Sequence, residues 1–344
     1  MKLRDFILRR VILAIPVVFG VLTITWFLSY VVGNPVAMYI NENTPAAAIP
    51  AIIEQHGFNE PLHVQYFLYL SNLLQGDWGI STSTSFRPVL EVIATKFPAT
   101  IELSIIAMIF SILLGIPLGI ISATRKDQMV DHFTRIFSLA GVSMPIFWFA
   151  LMLKYVLFYQ LTIMHLPHLP PGERYSLINF RSFEYTTGFL LIDSLLFAGN
   201  IRLFVDGVLH LVMPAFCLGY LTLAIITRMM RSSMLEVLKE DYITLARSKG
   251  LTERIVVYRH ALRNAMIPTV TVIGLAFGGL ITGAVLTETI FNWPGLGRWA
   301  VRAILSSDLA AINGFTLLVA LIFVTANLIV DLIYGTLDPR IRFG

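Results

Sequence analysis

Cysteine is almost missing from this chain, and charge is scarce. Cys217 stands alone among 344 residues, so no disulfide can form within the chain. Its place in an apolar run suits a small buried hydrophobe. The dipeptide Gly-Lys never occurs, which removes the glycine-rich phosphate loop and excludes a P-loop ATPase built from these residues. No His and Cys residues share metal-ligand spacing; His165 and His168, flanking Pro167, read as surface residues of a loop. Nothing arranges Ser, His and Asp as an intramembrane hydrolase would. No catalytic, metal or cofactor site is expected in this chain. Charged residues make up 13% of the sequence. Those within apolar runs lie toward the ends, which argues against a proton- or ion-coupled carrier built on mid-membrane carboxylates.

What the chain has is apolar length. Hydrophobic residues make up 56% and the mean hydropathy is +0.76. Six runs predict membrane spans at about 11–32, 99–123, 136–159, 204–227, 267–290 and 311–335. Each is long enough, at ~1.5 Å per residue, to cross a ~30 Å hydrocarbon core with some tilt. The expected fold is an all-α polytopic membrane protein of six transmembrane helices, a single transmembrane domain over 1–344. The start, MKLRDFILRR and an apolar run, imitates a signal peptide. The run is too long and lacks a small-residue cleavage site, so a retained first helix is expected.

Basic residues set the orientation. Seventeen of the 25 lie before span one, between spans two and three, between spans four and five, and after span six. Both termini are therefore expected in the cytoplasm, with the chain multi-pass in the cell (inner or plasma) membrane. Two long segments fall outside. In 33–98, PLHVQYFLYLSNLLQGDWG predicts an external amphipathic helix ending at Gly76. In 160–203, TTGFLLIDSLLFAGN is too short to span and is broken by Asp193, so an interfacial or half-inserted helix is expected. Lys154 is expected to snorkel. Glu102 and Asp206 are expected at headgroups or helix starts, Glu288 at the outer end of span five and Asp331 at the inner end of span six. Three GxxxG pairs (Gly115/Gly119, Gly274/Gly278, Gly279/Gly283) suit ordinary bundle packing, and Pro117 and Pro145 suit kinks.

The inner segment 228–266 is different. Tyr242, Leu245, Ala246 and Lys249 recur at helical spacing on one face. Gly250 suits the left-handed stop after such a helix, and Thr252 with Glu253 suits the start of a second one, running to Pro268. The pattern predicts a short helix, a sharp turn and a second helix in the cytoplasm. A basic loop resting on anionic headgroups is the plainer reading. A DNA-reading helix-turn-helix is poorly served by a loop tethered at both ends, and no nucleic-acid partner is expected.

DYITLARSKGLTERIVVYRHALRNAMIP resembles the cytoplasmic loop of bacterial and archaeal ABC-importer permeases of the dipeptide/oligopeptide/nickel subfamily. RRVILAIPVVFGVLTITWFL, EPLHVQYFLYLSNLLQGDWGIS, PVLEVIATKFPATIELS, TGFLLIDSLL, TETIFNWPGLGRWAVRAI and LDPRIR are similar to that subfamily's segments, in the same order, and point to the B-type permease of a pair. Thr244, Leu245, Ala246, Gly250 and Arg263 stand where the general permease loop has Glu, Ala, Ala, Gly and Pro, so no role passes over for that Glu.

The resemblance implies a type I importer permease fold forming half of a translocation pathway. It implies a second permease subunit as heterodimer partner, two ATPase subunits that bind ATP and Mg, and an extracellular or periplasmic substrate-binding protein, all at a lipid bilayer. Coupling to an ATPase would fall to Asp241, Tyr242, Leu245, Ala246, Arg247, Lys249, Gly250 and Leu251. The cargo implied is a di- or oligopeptide, with oligosaccharides, nickel or glutathione as alternatives within the family. A stand-alone secondary carrier, or a receptor without transport, are the readings from other classes. In the expected outer loop FNWPGLGRW, a rigid turn would present Trp293 and Leu296, flanked by Asn292 and Pro294, as an outer gate or binding-protein contact. An aromatic belt at the interface is the alternative.

Overall fold

Six helices in the computed structural model are long and apolar enough to cross a membrane. The structure describes residues 3–40, 44–180 and 183–337; Lys2, Arg181 and the terminal 338–344 fall outside the described residues, as does the side chain of Asp331. In chain order the helices are α1 (Leu3–Trp26), α2 (Ile49–Gln55), α3 (Leu62–Leu74), α4 (Val89–Thr124), α5 (Met129–Ser143) and α6 (Ile146–Ile163). They continue with α7 (190–197), α8 (Ile201–Val237), α9 (Asp241–Ser248), α10 (Glu253–Ile290), α11 (Leu296–Leu305) and α12 (Leu309–Leu337). A two-stranded antiparallel hairpin, β1 (Ile80–Ser81) and β2 (Arg87–Pro88), precedes α4.

Several helices outrun their apolar cores. α4 begins at Val89 rather than at 99, and α10 starts at Glu253 and passes through Pro268 into the span without a break. The third span is the one that is interrupted. The run 136–159 is shared by α5 and α6, which meet at Met144 and Pro145, where Met144 is extended with ψ 130°. Proline lacks an N–H and disfavours helical backbone at the residue before it; at Pro145 the helix breaks, whereas Pro117 and Pro268 stay within theirs.

α8 is the most buried span and packs along α4, α5, α6 and α10. Facing residues fix the directions. Gly219, Gly115 and Gly119 place α4 and α8 parallel, meeting Ala107, Ile226 and Met230 in turn. Tyr220 Oη donates to the Phe137 carbonyl at 2.9 Å and Arg231 reaches Asp131, so α5 is antiparallel to α8. Thr269 beside Met230 and Gly283 beside Leu218 make α10 antiparallel as well. Ser29 donates to Asn313 Oδ1 at 2.8 Å, setting α12 against α1. The result is an alternating bundle. One end, here the basic end, carries the α4–α5 turn and α9; the far end carries the 33–88 segment, α7 and α11.

Charged side chains near the far end tie the elements together. Glu102 is buried and pairs with Arg174, while its Oε1 accepts from the Leu191 N–H at 2.8 Å. Asp206 accepts from Ser176 N and Oγ at 2.7 and 2.8 Å. Asp193, which interrupts the short apolar run, is 1% exposed. It accepts from the N–H groups of Thr186, Thr187 and Gly188, folding that turn back onto α7. Lys154 donates to the Ile290 carbonyl at 3.0 Å, joining α6 to the end of α10.

Candidate coupling site and far-end loop

α9 begins at Asp241, whose carboxylate suits the first turn of a helix. It stops in a paired-bond turn: Leu251 N–H donates to the Ala246 carbonyl at 3.4 Å, and Gly250 N–H to the Arg247 carbonyl at 2.9 Å. Gly250 has φ +77°, which glycine adopts without strain. Arg247 Nε donates to Glu253 Oε1 at 2.8 Å, and Asn264 Nδ2 donates to Tyr242 Oη at 2.7 Å. These two links fix α9 against the first turns of α10.

The two sides of α9 divide cleanly. Ile243 and Ala246 are buried in an apolar cluster with Ile120, Met230, Met234, Val256, Val257 and Ala261. Asp241, Tyr242, Thr244, Leu245, Arg247, Ser248, Lys249 and Gly250 are exposed, and Leu251 is half-buried. The reading of Ala246 as a residue of the docking face is therefore corrected: its methyl faces the chain's own core. Adjacent positions on a helix point about 100° apart, so Leu245 faces away, 55% exposed, while Ala246 joins Ile243. Sequence reasoning missed Ile243, whose i, i+3 spacing with Ala246 was the available signal.

Under α9 lies a polar joint. Asp131 is fully buried and takes Arg231 Nε and an Nη at 2.7 and 2.8 Å, Ser122 Oγ at 2.5 Å and the Asp127 N–H at 3.0 Å. Arg231 first of all, then Ser122 and the Asp127 N–H, hold the Asp131 carboxyl well below the usual carboxylate range against the opposing effect of burial. The joint ties the α4–α5 turn to α8, ten residues before α9 begins.

At the far end, 291–299 is a buried knot, not a presented turn. Trp293 is 0% exposed and Leu296 2%. Trp293 Nε1 donates to the Ala99 carbonyl at 2.9 Å. Thr100 Oγ1 donates to Glu288 at 2.6 Å and accepts the Leu296 N–H at 2.8 Å; the other Glu288 oxygen accepts the Arg298 N–H at 3.1 Å. Glu288 so caps the N-terminus of α11. Asn292 and Pro294 are half-buried, and the Asn292 amide donates to Glu173. The expectation that the turn displays Trp293 and Leu296, whether to a partner or in an interfacial belt, is corrected. Their indole and isobutyl groups fill the space between α4, α10 and α11, and the α10–α11 connection is too short to turn them outward.

Residues 115–343 match the family model described as "Binding-protein-dependent transport system inner membrane component". Residues 3–104 match the corresponding N-terminal membrane component model. The chain is 44% identical over 343 residues to the "Dipeptide transport system permease protein DppB" of Escherichia coli K12, covering 98% of each. It is 44% identical over 340 residues to the "Di/tripeptide transport system permease protein DppB" of Pseudomonas aeruginosa, covering 98% of each. It is 34% identical over 339 residues to the "Oligopeptide transport system permease protein AppB" of Bacillus subtilis, covering 98% of this chain and 99% of that one. With the family model running from α4 to the end of the chain, and a bundle of six membrane-length helices, this protein belongs to the inner membrane components of binding-protein-dependent transport systems.

Proposed function

We propose that this chain is the permease subunit of an ATP-driven importer of di- and oligopeptides, forming half of the translocation pathway. Membership of the family makes it a multi-pass protein of the cytoplasmic membrane that works with ATPase subunits and a substrate-binding protein. The near full-length identity to dipeptide permeases supports peptide as the cargo. On this reading both termini and α9 face the cytoplasm, a second permease pairs with this one, and two ATPases bind ATP and Mg beneath them.

The observation that carries the mechanism is the two-sided packing of α9. Its inner side is built into the bundle through Ile243 and Ala246, and its outer side leaves Tyr242, Leu245 and Lys249 free to meet an ATPase. Because Glu253–Ile290 is one helix, a push on α9 passes through the Gly250 turn and the Arg247–Glu253 pair into a membrane span. The knot around Trp293 stiffens the far end of that span, and a gating role for 292–296 would act through its movement as a unit.

The test is uptake of a labelled dipeptide by the reconstituted complex. Leu245→Glu should abolish binding-protein-stimulated ATP hydrolysis and uptake while the chain still inserts. Loss of one well-packed interface anchor is expected to weaken ATPase docking by ~2 kcal/mol, about thirtyfold. Wild-type uptake by this variant would remove α9 from the coupling path; uptake of oligosaccharide, nickel or glutathione but not peptide would overturn the cargo.

A further inference from the structure

Beside the Asp131–Arg231 joint, α5 and α8 leave a cavity of ≈ 380 Å³ lined by Arg135, Arg228, Arg231 and Thr227, and by Leu139 and Val142 further along α5. Arg231 and Arg135 share the Asp131 carboxylate there, and Arg228 lines the same cavity. Arg231 takes both Asp131 oxygens, at 2.7 and 2.8 Å, and leaves Arg135 at 3.8 Å. Arg228 is exposed and has no ion pair or hydrogen bond among the described residues. The cavity therefore holds positive charge beyond what Asp131 neutralises.

Thr227 supplies an independent observation. It is 1% exposed and its Oγ1 has no hydrogen-bond partner. The neighbouring hydroxyls of Thr134 and Ser138 each bond back to their own helix at 2.8 Å. A buried hydroxyl left without a partner is unfavourable, and an oxygen-rich anion in the cavity would relieve it. On α5, Leu139 and Val142 follow Arg135 at i, i+4 and i+7, 67% and 45% exposed. The site is thus cationic at one end and apolar one to two turns further along α5.

We propose that this cavity binds the phosphate headgroup of an anionic phospholipid, with its acyl chains lying along Leu139 and Val142. Arg228 directly follows the apolar run 204–227, which puts it at headgroup depth. Planar guanidinium groups match phosphate oxygens in pairs, and basic pockets between membrane helices favour anionic headgroups. The apolar wall is what a free phosphate or a peptide carboxylate would not use.

The test uses the chain purified with its partner subunits, delipidated in mild detergent. It is titrated separately with dioleoyl-phosphatidylglycerol and dioleoyl-phosphatidylcholine, and adducts are followed by native mass spectrometry. Phosphatidylglycerol should be retained over phosphatidylcholine, and Arg228→Gln and Arg135→Gln should each lower its occupancy about fivefold. Thr227→Val, nearly isosteric, should weaken retention without lowering the melting temperature of the delipidated protein. Equal retention of both lipids, or of phosphatidylglycerol by wild type and both Gln variants, overturns the proposal. Displacement of the lipid by inorganic phosphate alone would mean a bare anion site, and displacement by a dipeptide would mean a cargo site; either overturns it.

Discussion

Asp131 is fully buried, and its partner Arg231 lies 100 residues further along the chain. Asp131→Asn leaves that guanidinium beside a neutral amide. Breaking one side of such a pair costs about 3 kcal/mol, toward the low end because Arg231 keeps 20% of its side chain in contact with solvent. The pH dependence has a definite sign. The folded carboxyl titrates below its unfolded counterpart, so its stabilisation is complete above about pH 4 and is lost as pH falls below that. Thermal melts of wild type and Asp131→Asn should differ near neutral pH and converge in acid; a gap that stays constant with pH would deny the ionic contribution. Nothing in the sequence pointed to Asp131, because pairing between distant helices leaves no periodic trace. Glu102, Asp206 and Glu288 were visible as charges near span ends. Their buried roles were not, since each depends on a loop that folds back over the bundle.

At the scale of elements, α9 and its stop were legible and its facing was not. Tyr242, Leu245 and Lys249 mark a helix by spacing, and Gly250 marks where it must end, because a positive φ suits glycine. Which side turns inward depends on the apolar surface offered by α4, α8 and α10, which no local window contains. That is why Ala246 was placed with Leu245. Gly250 gives a clean measurement, since an added Cβ would meet nothing within 4 Å. Gly250→Ala should therefore lower stability by the conformational term alone, about 1 kcal/mol, and Gly250→Asn by less. Gly250→Pro cannot adopt φ +77° and loses the N–H that bonds the Arg247 carbonyl at 2.9 Å, so it should also halt uptake. Melting temperatures ranked Asn, Ala, Pro from high to low would bear this out; an unaffected Pro variant would mean the turn is not needed.

Across the whole molecule, the number of spans and their alternation followed from apolar length and basic residues, while the choice of central pair did not. The three GxxxG pairs look alike in the sequence, and the bundle treats them differently. A Cβ at Gly119 would lie 2.6 Å from the Met230 Cβ, and one at Gly219 would lie 2.7 Å from the Ala107 carbonyl oxygen. On α10, Gly279 would meet nothing within 4 Å and Gly283 only Leu218, at 4.0 Å. The close approach of α4 and α8 thus depends on glycine, whereas the Gly279/Gly283 pair on α10 leaves its face open within this chain. Gly119→Ala and Gly219→Ala must push the parallel central helices apart and should each cost about 1–3 kcal/mol. Gly279→Ala meets no neighbour and restricts only the unfolded backbone, so it should be neutral or stabilising by up to ~1 kcal/mol. Melting of the single chain in detergent separates these outcomes without reference to transport. Equal losses at Gly119 and Gly279 would mean that the α4–α8 contact is not what organises the bundle.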